Sequence, residues 1–333
     1  MEWKLVAGGA VAVAVLTWAG TGVALRLLRR RAVLDHPNAR SSHAVPTPRG
    51  AGLAILPVVL LAWAAVHFLT PAAMSVPWAV IVGAAFLAGL SWLDDLDDLS
   101  PAVRLIAQIA AVSVGMTALP DEARLFQGLL PRVPDLLLGA LAWLWFVNLF
   151  NFMDGIDGLA GTETACIGLG LGLLLPAAGL AVGLAPYALA VAAAALGFLV
   201  WNWQPARIFL GDVGSVPLGY LLGWLLLAAA ANGAWAAAII LPLYYLADAS
   251  LTLARRLWRG ERVWEAHARH FYQRALAGLS HAAVTRRVLA VNLSLIVLAW
   301  LALDGHRLAA LIAAALLVAG LLGQFHRIGA RRP

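Results

Sequence analysis

Charge is scarce in this chain. Only 12% of its 333 residues are Asp, Glu, Lys or Arg, where a soluble domain carries roughly 25%. That shortage excludes a protein that meets water on all sides. Cysteine is almost absent: Cys166 stands alone, which rules out an intrachain disulfide. Long polar stretches are lacking too. The longest runs over about 251–285, too short for a large soluble domain. No internal repeat and no low-complexity linker is visible. The first apolar run, Leu5–Leu25, has its positive charge behind it, at Arg26, Arg29, Arg30 and Arg31. A cleavable signal carries that charge in front, so the order predicts a retained first helix whose C-terminal end is cytoplasmic.

Hydrophobic side chains make up 62% of the sequence, and the mean hydropathy is +0.86. Apolar runs of about 20 residues, the length of a membrane-spanning helix, recur along it. Their positions predict eleven spans near 5–25, 51–69, 77–93, 102–119, 134–150, 163–180, 184–200, 214–231, 234–250, 286–303 and 307–324, with a ten-span reading as the alternative because spans six and seven are barely separated. Lys and Arg test the count, since cytoplasmic loops are enriched in them. With the N-terminus outside, nineteen of the 23 fall in the inside segments 26–50, 94–104, 201–213, 251–287 and 325–333, leaving Lys4, Arg124, Arg132 and Arg307 outside. The expected fold is therefore an all-α, polytopic integral membrane protein in one domain. Its N-terminus is periplasmic, and its cytoplasmic loops lie near 26–50, 94–101, 151–162, 201–213 and 251–285. The basic residues are spread over membrane-adjacent loops, so the net charge of +6 reads as an orientation signal and not as a nucleic-acid footprint.

Three polar breaks stand out by their acids: LDDLDD at 93–98, NLFNFMDGIDG at 148–158 and FLGDVGS at 209–215. Ionisable side chains at membrane depth are costly and mark function. Asp94, Asp97 and Asp98 would share a face if the third helix continued through them; four neighbouring aspartates, Asp95 included, then need a cation or basic partners. The bland reading is a solvated helix end, but acids there oppose the helix dipole. Asn148, Asn151, Asp154 and Asp157 recur every third residue and would form one stripe on a helix, with amide and carboxylate oxygens suited to Mg²⁺. A simple Asn/Asp-Gly turn would explain one of them and not four. Asp212, between Gly211 and Gly214, precedes an apolar span whose N-terminus favours anions; alone it would read as a helix cap.

Two basic segments complete the set. His267, His270 and Arg274 are spaced for one helical face, with Arg269 off it, and could clamp a pyrophosphate; an amphipathic interfacial helix and a zinc site lacking a third ligand are the rivals. In the loop DHPNARSSH, Arg40, His43 and the nearby Arg49 could meet an anionic lipid headgroup, or serve as a plain Pro-bearing connector. Asp248 has no evident role.

Taken in order, DHPNARSSH, DDLDD, NLFNFMDGIDGLAG, FLGDVGS and HARH resemble the motifs of the polyprenyl-phosphate N-acetylhexosamine-1-phosphate transferases, glycosyltransferase family 4, from Asp35 to about Arg274. The resemblance implies catalytic roles for Asp94, Asp95 and Asp98, and Mg²⁺ (Mn²⁺ as the alternative ion) on Asn151 and Asp212. It places Arg104, Asn148, Asp154, Asp157, His267, Arg269 and His270 around the nucleotide-sugar, and Arg40, His43 and Arg49 near the lipid phosphate. The HARH segment is not a run of consecutive histidines, which argues against a muramoyl-pentapeptide donor. The implied reaction moves N-acetylhexosamine-1-phosphate from a UDP-sugar, UDP-GlcNAc or a 6-deoxy analogue such as UDP-FucNAc, to undecaprenyl phosphate. It would start O-antigen or other envelope polysaccharide on the cytoplasmic face of a bacterial inner membrane; a homodimer is compatible with it. The rivals are the muramoyl-type donor and a cation-coupled transporter. Transporters place their sites near the midplane and often carry inverted repeats, neither of which is seen here. A CDP-alcohol phosphatidyltransferase lacks its motif.

Overall fold

The computed structural model describes residues 3–37, 42–43, 45–69, 77–97, 99–262 and 267–330. The chain runs through α1 (Trp3–Arg30), β1 (Leu34–Asp35), β2 (Thr47–Pro48), α2 (Gly52–Leu69), α3 (Trp78–Leu96), α4 (Pro101–Met116), α5 (Arg132–Phe152), α6 (Leu159–Ala177), α7 (Ala185–Asn202), α8 (Asp212–Ala229), α9 (Trp235–Ile240), α10 (Leu243–Trp258), α11 (Phe271–Ala275), α12 (His281–Leu303) and α13 (Arg307–Gly329). The two strands pair antiparallel, Leu34 opposite Pro48 and Asp35 opposite Thr47.

Local chemistry sets several boundaries. Ser100 caps α4, its hydroxyl accepting from the Val103 amide at 3.4 Å, and Pro101 follows at the first helical position, where its missing N–H costs nothing. Ser280 caps α12 through the Ala283 amide at 3.2 Å. Among the described residues eight helical stretches are long and apolar enough to cross a membrane, and two shorter apolar helices, Gly52–Val66 and Pro101–Met116, accompany them. This is a polytopic helical membrane protein. The ninth expected span differs from its sequence reading. It is broken: α9 stops at Ile240, and a turn at Leu241–Pro242 precedes α10, because proline supplies no N–H to continue the ladder. Asn232 and Gly233 also leave helical geometry just before α9, Gly233 with φ +88°.

Helix α8 is the axis of the bundle. It packs against α2, α3, α5 and α6 and is buried along nearly all its length. Tyr220 projects from it to donate to the Ala111 carbonyl at 2.9 Å, while the Trp143 indole donates to the Tyr220 carbonyl at 2.8 Å. The outer helices α1, α3, α5, α12 and α13 are only about a third buried, and their outward side chains are apolar: Val11, Val82, Leu308 and Leu316 are all exposed. An apolar exterior of that extent suits lipid.

The approach of α2 to α8 is closest at Gly52. A Cβ there would lie 2.3 Å from the Gly214 amide nitrogen and 2.5 Å from the Val213 carbonyl carbon. Those are backbone atoms, which no rotamer change can move. Gly52→Ala is therefore expected to destabilise the protein by about 1–3 kcal/mol, the usual range for overpacking, read as a lower unfolding midpoint in detergent.

Candidate active site

The C-terminal end of α3 meets the N-terminal end of α8. The Asp95 carboxylate accepts from the backbone amides of Asp212, at 3.1 Å, and Val213, at 3.0 Å. It thus closes the first turn of another helix, where free N–H groups favour an anion. Arg49 reaches the same carboxylate at 2.8 Å and also donates to the Asp95 carbonyl at 3.3 Å. Arg49 arrives there because β2 continues into a bridge with Phe209. The Phe209 amide donates to the Pro48 carbonyl at 2.8 Å, and the amides of Gly50, Ala51 and Gly52 donate to the Phe209 and Leu210 carbonyls. Gly211, φ +76°, makes the tight entry to α8; a Cβ on it would stand 2.8 Å from an Asp95 oxygen.

Asp212 opens α8 and has Asn151 within hydrogen-bonding reach; the Asn151 amide also donates to the Ser215 hydroxyl at 2.8 Å. Asp154 feels the charges of Asp212 and Asp95, and its carboxylate has no hydrogen-bond partner among the described residues. Burial, with those two carboxylates adding to it, pushes its pKa up to about 7. Asp94 lies alongside. It accepts from the Leu99 amide at 2.8 Å and pairs with Arg104 at 3.1 Å, and both Asp94 and Arg104 act electrostatically on Asp212. Four carboxylates, Asp94, Asp95, Asp154 and Asp212, thus face two guanidiniums, Arg49 and Arg104. With all four ionised the group is short of two positive charges, and the raised pKa of Asp154 is its answer to that deficit when no cation is bound. Among the described residues no three acid, imidazole or thiol side chains are gathered into a metal cage. Mg²⁺ needs no such cage, since it takes one or two carboxylates and fills its shell with water and phosphate. Asn151 with Asp212, beside the unpaired Asp154, fits an ion of charge two.

A cavity of about 200 Å³ opens onto this group, lined among others by His43, Arg49, Asp154, Asp157 and Asp212. His43 is held edge-on to Phe209, ring centres 4.9 Å apart. Asp157 accepts from the Ala206 amide at 3.0 Å and stands 3.1 Å from His281 Nδ1. The other ring nitrogen of His281 lies 2.9 Å from the Ser42 carbonyl. Asn202 receives the Gly158 amide at 2.9 Å and so fixes the turn after Asp157.

Several expectations about local geometry need correcting. The third helix stops at Leu96 and Asp97 is extended, so Asp94 and Asp97 do not share a helical face. Asp98 lies outside the described residues, as does Arg40. Helix α5 ends at Phe152, so the Asn148–Asp157 stripe is not one helical stripe; a turn carries Asp154 and Asp157. Gly155 permits that turn to press on the Tyr272 hydroxyl, 2.1 Å from where a Cβ would be. Asn148 sits in the α4–α5 contact, donating to Gln108 at 2.7 Å and to the Leu144 carbonyl at 2.8 Å, and does not line the cavity.

The 267–274 segment departs furthest. Helix α11 begins only at Phe271, so His267, His270 and Arg274 do not form one helical face. His270 is buried, its Nδ1 3.3 Å from Asp248. The Asp248 carboxylate also accepts from the amides of Phe271 and Tyr272, at 3.0 and 3.1 Å. His267 stacks on His270, ring centres 4.8 Å apart. Burial first, then His270 and two arginines, lowers its pKa to about 4, which leaves it neutral near pH 7. Arg269 pairs with Glu261. Of this region Gln273 lines the cavity. Asp248, His281 and Gln273 were missed in the sequence. Asp248 offered one signal, a carboxylate inside an apolar stretch; the other two offered none.

A family model described as Glycosyl transferase family 4 matches residues 77–230. A probable undecaprenyl-phosphate N-acetylglucosaminyl 1-phosphate transferase of Bacillus subtilis is 31% identical over 274 residues, 78% of this chain and 75% of the relative. A decaprenyl-phosphate N-acetylglucosaminephosphotransferase of Mycobacterium leprae is 33% identical over 229 residues, 63% of this chain and 57% of the relative. A phospho-N-acetylmuramoyl-pentapeptide-transferase of Rippkaea orientalis is 35% identical over 195 residues, 53% of this chain and 52% of the relative.

The raised Asp154 pKa has a consequence for stability. An unfolded aspartate loses its proton near pH 4, while the folded one keeps it to about 7. Over that window the folded state holds more protons, so stability falls as pH rises. In buffer free of divalent cations, Asp154→Asn is expected to flatten this decline and raise the unfolding midpoint at pH 8. An unchanged pH profile would show that Asp154 titrates normally.

Proposed function

The chain belongs to glycosyl transferase family 4, the polyprenyl-phosphate hexosamine-1-phosphate transferases, and on that premise we propose that it moves N-acetylhexosamine-1-phosphate from a UDP-sugar to undecaprenyl phosphate, releasing UMP. The observation that carries this reading is the meeting of Arg49, Asp154 and Asp212 at one cavity, with Asp95 and Asn151 bonded behind them and more carboxylates than guanidiniums in the group. A diphosphate bound with one divalent cation needs such a setting. The names of the relatives point to the same acceptor class, and the apolar exterior gives a polyprenyl chain access from the bilayer.

In this reading an oxygen of the lipid phosphate attacks the β-phosphorus of the donor. A new P–O bond forms there, and the bond to the UMP oxygen breaks. A phosphate monoester is mostly dianionic near pH 7, its second pKa being about 6, so the acceptor needs orientation and charge compensation more than deprotonation. Arg49, a third exposed, and His43 stand at the cavity wall to receive the lipid phosphate. Arg104, partly exposed, presents a second guanidinium to the phosphates beside Asp94. Asp95 is already bound to the α8 amides and acts by positioning Asp212. Asp157, fixed by Ala206 and His281, forms the floor on the nucleotide side. Mg²⁺ held by Asn151 and Asp212 would neutralise charge developing on the phosphoryl oxygens. The arginine distribution supports placing the polar groups on a cytoplasmic face, in this reading that of a bacterial inner membrane. The product would begin an envelope polysaccharide such as O-antigen.

His270 is buried against Asp248, and neither it nor His267 lines the cavity, which disfavours a muramoyl-type donor that a histidine cluster would hold; UDP-GlcNAc is the first candidate. With purified protein, undecaprenyl phosphate, Mg²⁺ and a panel of UDP-N-acetylhexosamines including the muramoyl pentapeptide, lipid-dependent UMP release is expected with one donor and should vanish with EDTA. Asp212→Asn should keep a wild-type unfolding profile while losing at least about a hundredfold in turnover, the scale of one removed electrostatic group at a reacting centre. Full activity of that variant at saturating Mg²⁺ would sink the metal assignment.

A further inference from the structure

On the other side of α11 lies a second, strongly basic pocket. It measures about 640 Å³ and is lined by Arg255, Arg256, Arg259, Arg269 and Arg274, with His326 of α13. Helix α11 is the wall between the two spaces. Phe271 and Arg274 line the basic pocket, whereas Gln273 lines the catalytic cavity and the Tyr272 hydroxyl donates to the Phe152 carbonyl at 3.2 Å.

The pocket is assembled from three elements, and four of its five arginines are held in place. Arg255 lies over the Phe271 ring at 4.8 Å. Arg274 donates towards His326 Nδ1 at 3.3 Å, and its backbone closes on Gly329 at the end of α13. Glu261 binds both Arg256, at 3.1 Å, and Arg269. Among the described residues no carboxylate pairs with Arg255, Arg259 or Arg274. Three of the five guanidiniums, those of Arg255, Arg259 and Arg274, therefore reach this space with no carboxylate partner among the described residues. Like charges held this close raise the energy of the empty pocket, and arginine forks match phosphate oxygens two at a time. Trp258 and Leu257, exposed at 93% and 67%, flank the arginines on α10, as expected of a site at the membrane–water interface.

We propose that this pocket is a second anion site, separate from the catalytic cavity, which takes a phosphate group carrying two or more negative charges. Two sources have that chemistry, an anionic lipid headgroup and a soluble polyphosphate. Neither depends on the transferase reading, because the readouts are binding and unfolding.

Full-length protein in detergent with EDTA would be titrated with inorganic pyrophosphate by calorimetry. In parallel its unfolding midpoint would be compared in nanodiscs of phosphatidylcholine alone and with phosphatidylglycerol added. The variants are Arg259→Gln, and Arg255→Gln with Arg259→Gln; Arg259→Lys keeps the charge. A pyrophosphate affinity at least about tenfold weaker in the Gln variants, the scale of one lost charge-assisted contact, identifies a soluble ligand. A phosphatidylglycerol-dependent rise in midpoint that the Gln variants lose and Arg259→Lys retains identifies a lipid headgroup. Equal midpoints of all variants in phosphatidylcholine show that folding is intact. Gln variants that match wild type in both arms, or a wild type that responds in neither, would overturn the proposal.

Discussion

Everything at the polar end of this bundle depends on one carboxylate and the helix end it closes. Asp95 holds the first amides of α8 and the guanidinium of Arg49 together, and each partner belongs to a different part of the chain. Without it, α8 would present unsatisfied N–H groups next to three other carboxylates. Arg49 would lose the anchor that fixes the loop running from β2 into α2. The costs are of the kind that follow when one side of a buried ion pair is removed, about 3–5 kcal/mol. The contact turns a row of aspartates, which repel one another, into a group with assigned places. Asp95 is structural, Asp94 is tied to Arg104, and Asp154 and Asp212 face the cavity.

A second carboxylate does the same work further along. Asp248 receives the first amides of α11 and the ring of His270. It fixes a five-residue helix that could not stand alone, since short helices in water are marginal. Through that helix one side of the acidic cavity and one side of the arginine pocket are set by the same atoms. The two spaces are mechanically joined while remaining chemically distinct.

Much of this arrangement is legible in the sequence, and the part that is not has a physical cause. Apolar runs announce the helices because lipid leaves the backbone no alternative to internal hydrogen bonding. The acidic breaks announce the site because charge at that depth is too costly to keep without use. Helix ends inside those breaks are not visible. Asp97 and Asp154 follow helices that stop at Leu96 and Phe152, so periodic spacing suggested faces that are absent. The broken ninth span was hidden because its apolar run continues across Leu241 and Pro242. Partners drawn from far away, such as His281 for Asp157 or Asp248 for α11, leave no local pattern at all. The basic segment misled most: its spacing suited a helix, but the buried carboxylate beneath it decided the geometry.

The prior engagement of Asp95 by Arg49 bears on how any anion enters the cavity. An incoming phosphate does not meet a vacant cation; it meets one already bonded. Its capture is an exchange of one oxygen ligand for another on the same guanidinium. Small-molecule inhibitors built around a negative group would compete with an internal carboxylate at fixed high effective concentration. Neutral ligands that bind the cavity wall without calling on that guanidinium face no such charged incumbent.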